Sequence, residues 1–191
     1  MADSDVQAVR EALRAFQDGY DRRDTNLVDD FRKLFFTGEE TEVIGTGGIN
    51  PGDDEWCLGP DAACELVRND WEGWGDLKLD VPQARIHTLG DVAWLSTTGT
   101  VAMELDPTEI YQDHLSYIQK LTEEESMDPR ARLLEIVRGA TNTMFEAERG
   151  KDYIWPIRFT AVLIRSQQGW LFHQITFSFA TTRFPDVRNI A

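Results

Sequence analysis

Two long runs of β-branched and aromatic residues, near Tyr153 to Arg165 and from Gly169 to Thr181, are separated only by Ser166, Gln167 and Gln168. Such runs favour extended backbone and so short a polar break favours a reversal, so the spacing predicts an antiparallel hairpin. A lone hairpin is marginal in water. The rest of the chain must therefore supply more strands and a cover for an apolar sheet face, which narrows the fold to a sheet packed against another layer.

The cover is written into the first third of the sequence. Val6, Val9, Leu13, Phe16 and Tyr20 recur at helical spacing behind Ser4 and Gln7, a capping-box pair, and predict a helix to about Arg22. Asp24 is placed to cap a shorter helix with Leu27, Phe31, Leu34 and Phe35 on one face, stopped by Gly38. A strand is expected over Glu42 to Thr46, followed by a glycine-rich loop. Gly59 and Pro60 open a third helix whose buried side carries Leu66, Val67, Trp71 and Trp74, closed by Gly73 and Gly75. Beyond it, Leu77, Leu79, Val81, Val92, Trp94 and Val101 lie in strand-favouring segments divided at Leu89, Gly90 and Asp91, a second long hairpin. Between the hairpins, residues 106–151 are acidic and helix-favouring, with Pro107 and Pro129 each placed at a helix start. There Leu133, Ile136, Val137, Ala140 and Met144 make one apolar stripe, and Ile110, His114, Ile118 and Leu121 another. The expectation is a single α+β domain over 1–191, with residues 106–151 inserted as a helical hairpin whose two stripes bury each other.

Composition bounds the partners. A formal charge of -15 is wrong for phosphate backbones and anionic membranes, so neither nucleic acid nor a membrane is an expected partner. No window approaches the roughly 18 apolar residues needed to cross a bilayer. MADSDVQAVR lacks the basic and apolar regions of a secretory signal, and only Cys57 and Cys64 could form a disulfide; a cytoplasmic location is the expectation.

The segments ALRAFQDGYDRRD from Ala12, CLGPDAACELVRNDWEGW from Cys57, ARIHTLGDVAWLSTTGTVAM from Ala84 and GWLFHQITFSF from Gly169, in that order, resemble the nuclear transport factor 2-like superfamily, especially its SnoaL-like branch. The resemblance implies three N-terminal helices packed in a strongly curved mixed or antiparallel sheet around a cone-like cavity. Relatives use that cavity for isomerisation, dehydration, ring closure, small-molecule binding or self-association, and fold alone does not choose among these. The steroid isomerase relatives carry a tyrosine where Phe16 stands, an aspartate base near Gly45 and a second acid near Phe159 or Ala161. Their proton-abstracting apparatus is therefore not carried over.

Strict strand alternation puts Trp170, Phe172, Gln174, Thr176 and Ser178 on one face and Leu171, His173, Ile175, Phe177 and Phe179 on the other. By resemblance the Trp170 face lines the cavity, and a solvated face is the alternative. The apolar face needs covering; back-to-back pairing, as in relatives, makes a homodimer the expectation, with cover by the inserted helices as its rival. His173, His87 and His114 lack partners at ligand spacing, so no metal site is expected, and a lone histidine on an apolar face is ordinarily structural. Cys57 and Cys64 read as small buried residues. GTGGIN at Gly45 is a false dinucleotide signal, because Pro51, Gly52 and two aspartates stand where a helix should begin. Asp53, Asp54 and Glu55 beside Trp56, with Asp18 and Asp21, are candidates for an acidic rim. Arg158, inside an apolar strand, is expected to share a salt bridge, and parity groups it with Pro156 and Thr160.

The expected function is noncovalent binding of a small, largely apolar organic molecule, without cofactor, in a cavity walled by Phe16, Tyr20, Trp71, Trp74, Trp94, Phe159 and Phe172 and oriented by Gln174, Thr176 and Ser178. A cofactor-free lyase, cyclase or isomerase in the same cavity is the close alternative, and an oligomerisation or partner-binding module the third.

Overall fold

The computed structural model describes residues 2–38, 40–52, 55–104, 106, 108–123, 127–148 and 151–179. Helix α1 (Ala2–Arg22) buries Val9, Leu13, Phe16 and Tyr20 at three- and four-residue intervals, with Asp3 and Asp5 in its first turn and Arg22 in its last, as the helix dipole favours. It begins ahead of Ser4, so Ser4 and Gln7 lie inside the helix rather than capping it; the Gln7 amide instead donates to Glu11 at 3.1 Å, one turn on. Asp24 does cap, accepting from the Asn26 amide. The segment it starts is a tight turn (Thr25–Leu27), one α turn, α2 (Val28–Phe31), and a second tight turn (Arg32–Leu34). Strand β1 (Glu42–Ile44) then pairs with β2 (Trp56–Leu58), which sequence periodicity did not reveal because three residues are too few to show a period. Helix α3 (Gly59–Gly73) opens at Gly59 and Pro60 as expected.

Strands β3 (Asp76–Leu79), β4 (Arg85–Leu89) and β5 (Val92–Glu104) follow, then β6 (Asp152–Ser166) and β7 (Gly169–Phe179). The sheet runs β2-β1-β7-β6-β5-β3, with β4 also on β5. It is mixed, since β1 joins β7 in parallel while β6 and β7 pair antiparallel. Both hairpin turns need glycine: Gly90 and Gly169 hold φ of 62° and 114°.

The described residues fall into two compact units, 2–101 with 155–179, and 102–154. In the first, α1 to α3 lie on one side of the sheet. The β6 residues Ile157, Phe159, Ala161 and Leu163 face them and are buried. Gln17 joins α1 to the edge strand β3, donating to the Leu77 carbonyl and accepting from the Leu79 amide, both at 2.8 Å. In the second unit α4 (Ile110–Glu123) packs on α5 (Pro129–Glu148). His114 of α4 sits where a Cβ on Gly139 would come within 2.6 Å. The α4 stripe is the inward one, ending at buried Leu121, whereas Leu133, Val137 and Met144 of α5 are exposed. Ile136 and Ala140 are half-buried, so the two expected stripes bury each other only in part, and the close approach of α4 is at Gly139, which lies off the α5 stripe. Pro107 lies outside the described residues.

Candidate functional site

The helix-facing side of the sheet is filled by the chain's own rings. Phe16 lies 5.1 Å from Tyr20 and Phe31 and 5.4 Å from Phe159 and Phe172, centre to centre. Of the residues expected to line a cavity, Phe16, Tyr20, Trp71, Phe159 and Phe172 do come together, but as core. Tilted and edge-on contacts of this kind are favourable packing and leave little room for a ligand among them. Trp74 is half-buried and meets Phe177 at 6.2 Å, at the margin of this cluster.

Gln174, Thr176 and Ser178 are not there, and neither is Trp94. Along β6 and β7, Val162 pairs with Gln174 but Leu163 pairs with Phe172, so His173 is an extra residue in β7. A bulge adds one residue and reverses the alternation beyond it. Phe172 therefore faces the helices together with Ile175 and Phe177, and Gln174, Thr176 and Ser178 face the opposite side. The expected apolar dimer face is corrected by the same bulge: Ile175 and Phe177 are 0% and 5% exposed inside the unit. Trp94 is 44% exposed on that opposite side, stacked on His87 at 5.5 Å.

A different constellation lies beside Trp74. A hydroxyl and a carboxylate meet there, from Tyr20 of α1 and from Asp70 in the last turn of α3. The Tyr20 hydroxyl donates to Asp70 Oδ2 at 2.7 Å. Burial pushes the Asp70 carboxyl up to about 6; the Tyr20 hydrogen bond and the Arg23 charge pull it down, and the Glu55 charge pushes it further up. Tyr20 itself is raised well above its usual range, by burial first and then by the Asp70 charge, so it stays a protonated donor. Arg23 holds the end of α3 in place. It adopts a left-handed φ of 49° and donates to the backbone carbonyls of Asp70 at 2.6 Å, Trp71 at 3.0 Å and Trp74 at 2.5 Å, with Asp76 at 2.8 Å on its remaining nitrogen. A cation at a helix C-terminus satisfies carbonyls that have no helical partner.

A space of about 20 Å³ is lined by Gly45, Thr46, Glu55, Leu66, Asp70, Trp74 and Phe177. It is the size of one water. The glycine-rich loop is its roof: the Gly47 amide donates to Glu55 Oε2 at 2.6 Å, and a Cβ on Gly45 would fall 2.3 Å from that oxygen. The glycines of GTGGIN are thus explained by the close approach of Glu55, with no phosphate involved. Glu55 is the one member of the expected acidic rim at this pocket; Asp53 and Asp54 lie outside the described residues, and Asp21 is engaged by Lys78 and Gln17. Sequence reasoning missed Asp70, although the signal was there. Asp70 falls three residues after buried Val67 and beside buried Trp71, a carboxylate set into the apolar stripe of α3.

The other singled-out residues are structural. His173 is the bulge residue and meets Phe36 edge-on at 5.8 Å. Arg158 is exposed and donates to the Phe179 carbonyl at 2.5 Å rather than to a carboxylate, while its grouping with Thr160, opposite Ile157 and Phe159, holds. Cys57 and Cys64 are buried, and burial raises Cys64 to about 11. Among the described residues no cluster could hold a metal ion, and no helix is long and apolar enough to cross a membrane.

No protein-family model and no curated protein matches the chain. Solved structures do. A candidate dehydratase of the nuclear transport factor 2-like family from Streptomyces avermitilis aligns with a TM-score of 0.59 at 14% identity, over 95% of this chain and 100% of that one. A nuclear transport factor 2-like protein with a cystatin-like fold from Novosphingobium aromaticivorans gives 0.57 at 12% identity, over 98% and 90%. A candidate scytalone dehydratase from the same organism gives 0.53 at 10%, over 93% and 85%. At these identities the likeness carries the architecture alone, and it agrees with the three helices, the mixed seven-stranded sheet and the element order: the chain has the nuclear transport factor 2-like, cystatin-like α+β fold.

Proposed function

We propose that the protein binds a small, largely apolar organic molecule against Trp74, with the water-sized pocket beneath the β1–β2 loop taking only the departing water, and moves a proton on it without a cofactor, with Asp70 as the acid–base group. The observation that carries this is the part-buried Asp70 carboxyl, fixed at 2.7 Å by Tyr20 and opening on a water-sized space beside Glu55. A carboxyl near 6 is divided between both forms around neutral pH, as an acid–base group should be. Ionised, it accepts a proton from a carbon next to a carbonyl. Protonated, it donates to a departing hydroxyl, which leaves as water into a space of matching size. Half-buried Trp74 offers apolar surface for the remainder of the molecule. Candidate dehydratases among the structural neighbours fit this chemistry.

The test is proton exchange in heavy water with a panel of small β-hydroxy ketones and enones, followed by mass spectrometry. Deuterium uptake or dehydration by the native chain that Asp70→Asn abolishes is expected. Identical behaviour of native and variant chains across the panel overturns the proposal.

A second reading, a homodimer or partner-binding module, is favoured by the exposed Leu133, Leu134, Val137 and Met144 on α5. Light scattering distinguishes it, since a dimer that Leu133→Glu with Val137→Glu dissolves is the outcome it requires.

A further inference from the structure

The sheet has a second hollow, on the side away from α1 to α3, that the pocket at Asp70 does not use. It is about 360 Å³ and draws on four strands, with Arg85, Trp94, Ser96, Thr160, Gln174 and Thr176 among its lining and His87 beside Trp94. That volume lies in the range of small-ligand sites. Its chemistry differs from that of an ordinary subunit contact. Thr160 and Thr176 are cross-strand partners, so their hydroxyls stand side by side on adjacent strands. Neither these hydroxyls nor that of Ser96 has a hydrogen-bond partner among the described residues. Gln174 is pinned, donating to Glu42 Oε2 at 3.1 Å, which leaves its carbonyl and one N–H open. Beside this polar row stands one exposed indole, held in place because His87 stacks on one of its faces with the ring planes 21° apart.

We propose that this hollow binds a neutral carbohydrate, with Trp94 as the stacking platform and Ser96, Thr160, Gln174 and Thr176 as the hydroxyl-reading groups. A pyranose has an apolar C–H face that suits an indole and a rim of hydroxyls that both donate and accept. Side-chain hydroxyls and an amide match that rim because they too can do both. Adjacent strands lie about 4.8 Å apart, an interval comparable to the width of one sugar ring. Arg85, exposed at the same hollow, adds a donor for ring and hydroxyl oxygens, and an apolar ligand would leave the hydroxyl row buried without partners.

The experiment is an amide and indole N–H titration of the intact chain with cellobiose, maltose and chitobiose at millimolar concentration. Saturable shifts of the Trp94 indole and the Gln174 side-chain amide with at least one sugar are expected. Trp94→Ala should remove them with the far-ultraviolet spectrum and Tm unchanged, and Thr160→Val, which keeps the shape and deletes one hydroxyl, should weaken binding several-fold. The proposal is overturned by the absence of a saturable shift with all three sugars. It is equally overturned by a dimer in light scattering that Trp94→Ala dissociates, which would assign the face to a second copy.

Discussion

At Asp70 a folding cost and a chemical property have the same origin. In the folded chain its carboxyl sits near 6 against 3.8 for an ordinary aspartate, so folding takes up a proton between those values. Its favourable linkage is whole below pH 3.8 and is lost as pH rises through 6, leaving a partly buried charge that costs roughly 3 kcal/mol once ionised. Asp70→Asn keeps an acceptor for Tyr20 and cannot ionise. It should therefore be more stable than the native chain above pH 7, by up to about 3 kcal/mol, with the difference vanishing near pH 4, as urea melts at several pH values would show. Under the proposed chemistry it should also lose proton exchange, the trade-off expected if the group is held for chemistry rather than stability. Tyr20→Phe removes the hydrogen bond that favours the ionised form, so the Asp70 midpoint should move above 6 and the acid limb of any rate profile should follow it upward.

Among the elements, the β1–β2 loop and the bulge in β7 decide what reaches the site. Gly45→Ala would set a methyl 2.3 Å from Glu55 Oε2 and 2.7 Å from Glu55 Cβ, expelling the glutamate from under the loop. With that like charge gone, the Asp70 midpoint should fall below 6, opposite in sign to Tyr20→Phe, and Tm should drop by a few degrees; carboxyl titration and calorimetry read the two effects. At Gly19 a methyl would meet the Phe31 ring at 2.5 Å, so Gly19→Ala should cost about 1–3 kcal/mol by overpacking the contact of α1 with α2. The helices and both hairpins were legible in the sequence because their apolar residues repeat often enough to show a period. The bulge was not, since nothing in GWLFHQITFSF distinguishes an inserted His173 from strict alternation, and that single residue sent Gln174, Thr176 and Ser178 to the other face. Of the candidate site, Tyr20 and Trp74 were readable as apolar-stripe members. Asp70 escaped because its role depends on Tyr20, fifty residues away, and on a loop that folds back over it.

Across the first unit, the aromatic interior replaces the open cavity that resemblance implied. Phe16 touches rings from α1, α2, β6 and β7, so Phe16→Ala should cost about 3–5 kcal/mol in a denaturant melt, as a cavity-forming core substitution does. A loss below 1 kcal/mol would mean that this position borders open space after all. With the interior closed, the proposed chemistry belongs at its margin, where α1, α3 and the β1–β2 loop bring Tyr20, Asp70 and Glu55 together. The direct measurement is a carbon-detected titration of the Asp70 side-chain carboxyl in the intact chain. A midpoint near 6 that rises in Tyr20→Phe is the result expected from burial opposed by one hydrogen bond. A midpoint near the ordinary value of 3.8, unmoved by that substitution, would contradict the account and leave the pocket without its acid–base group.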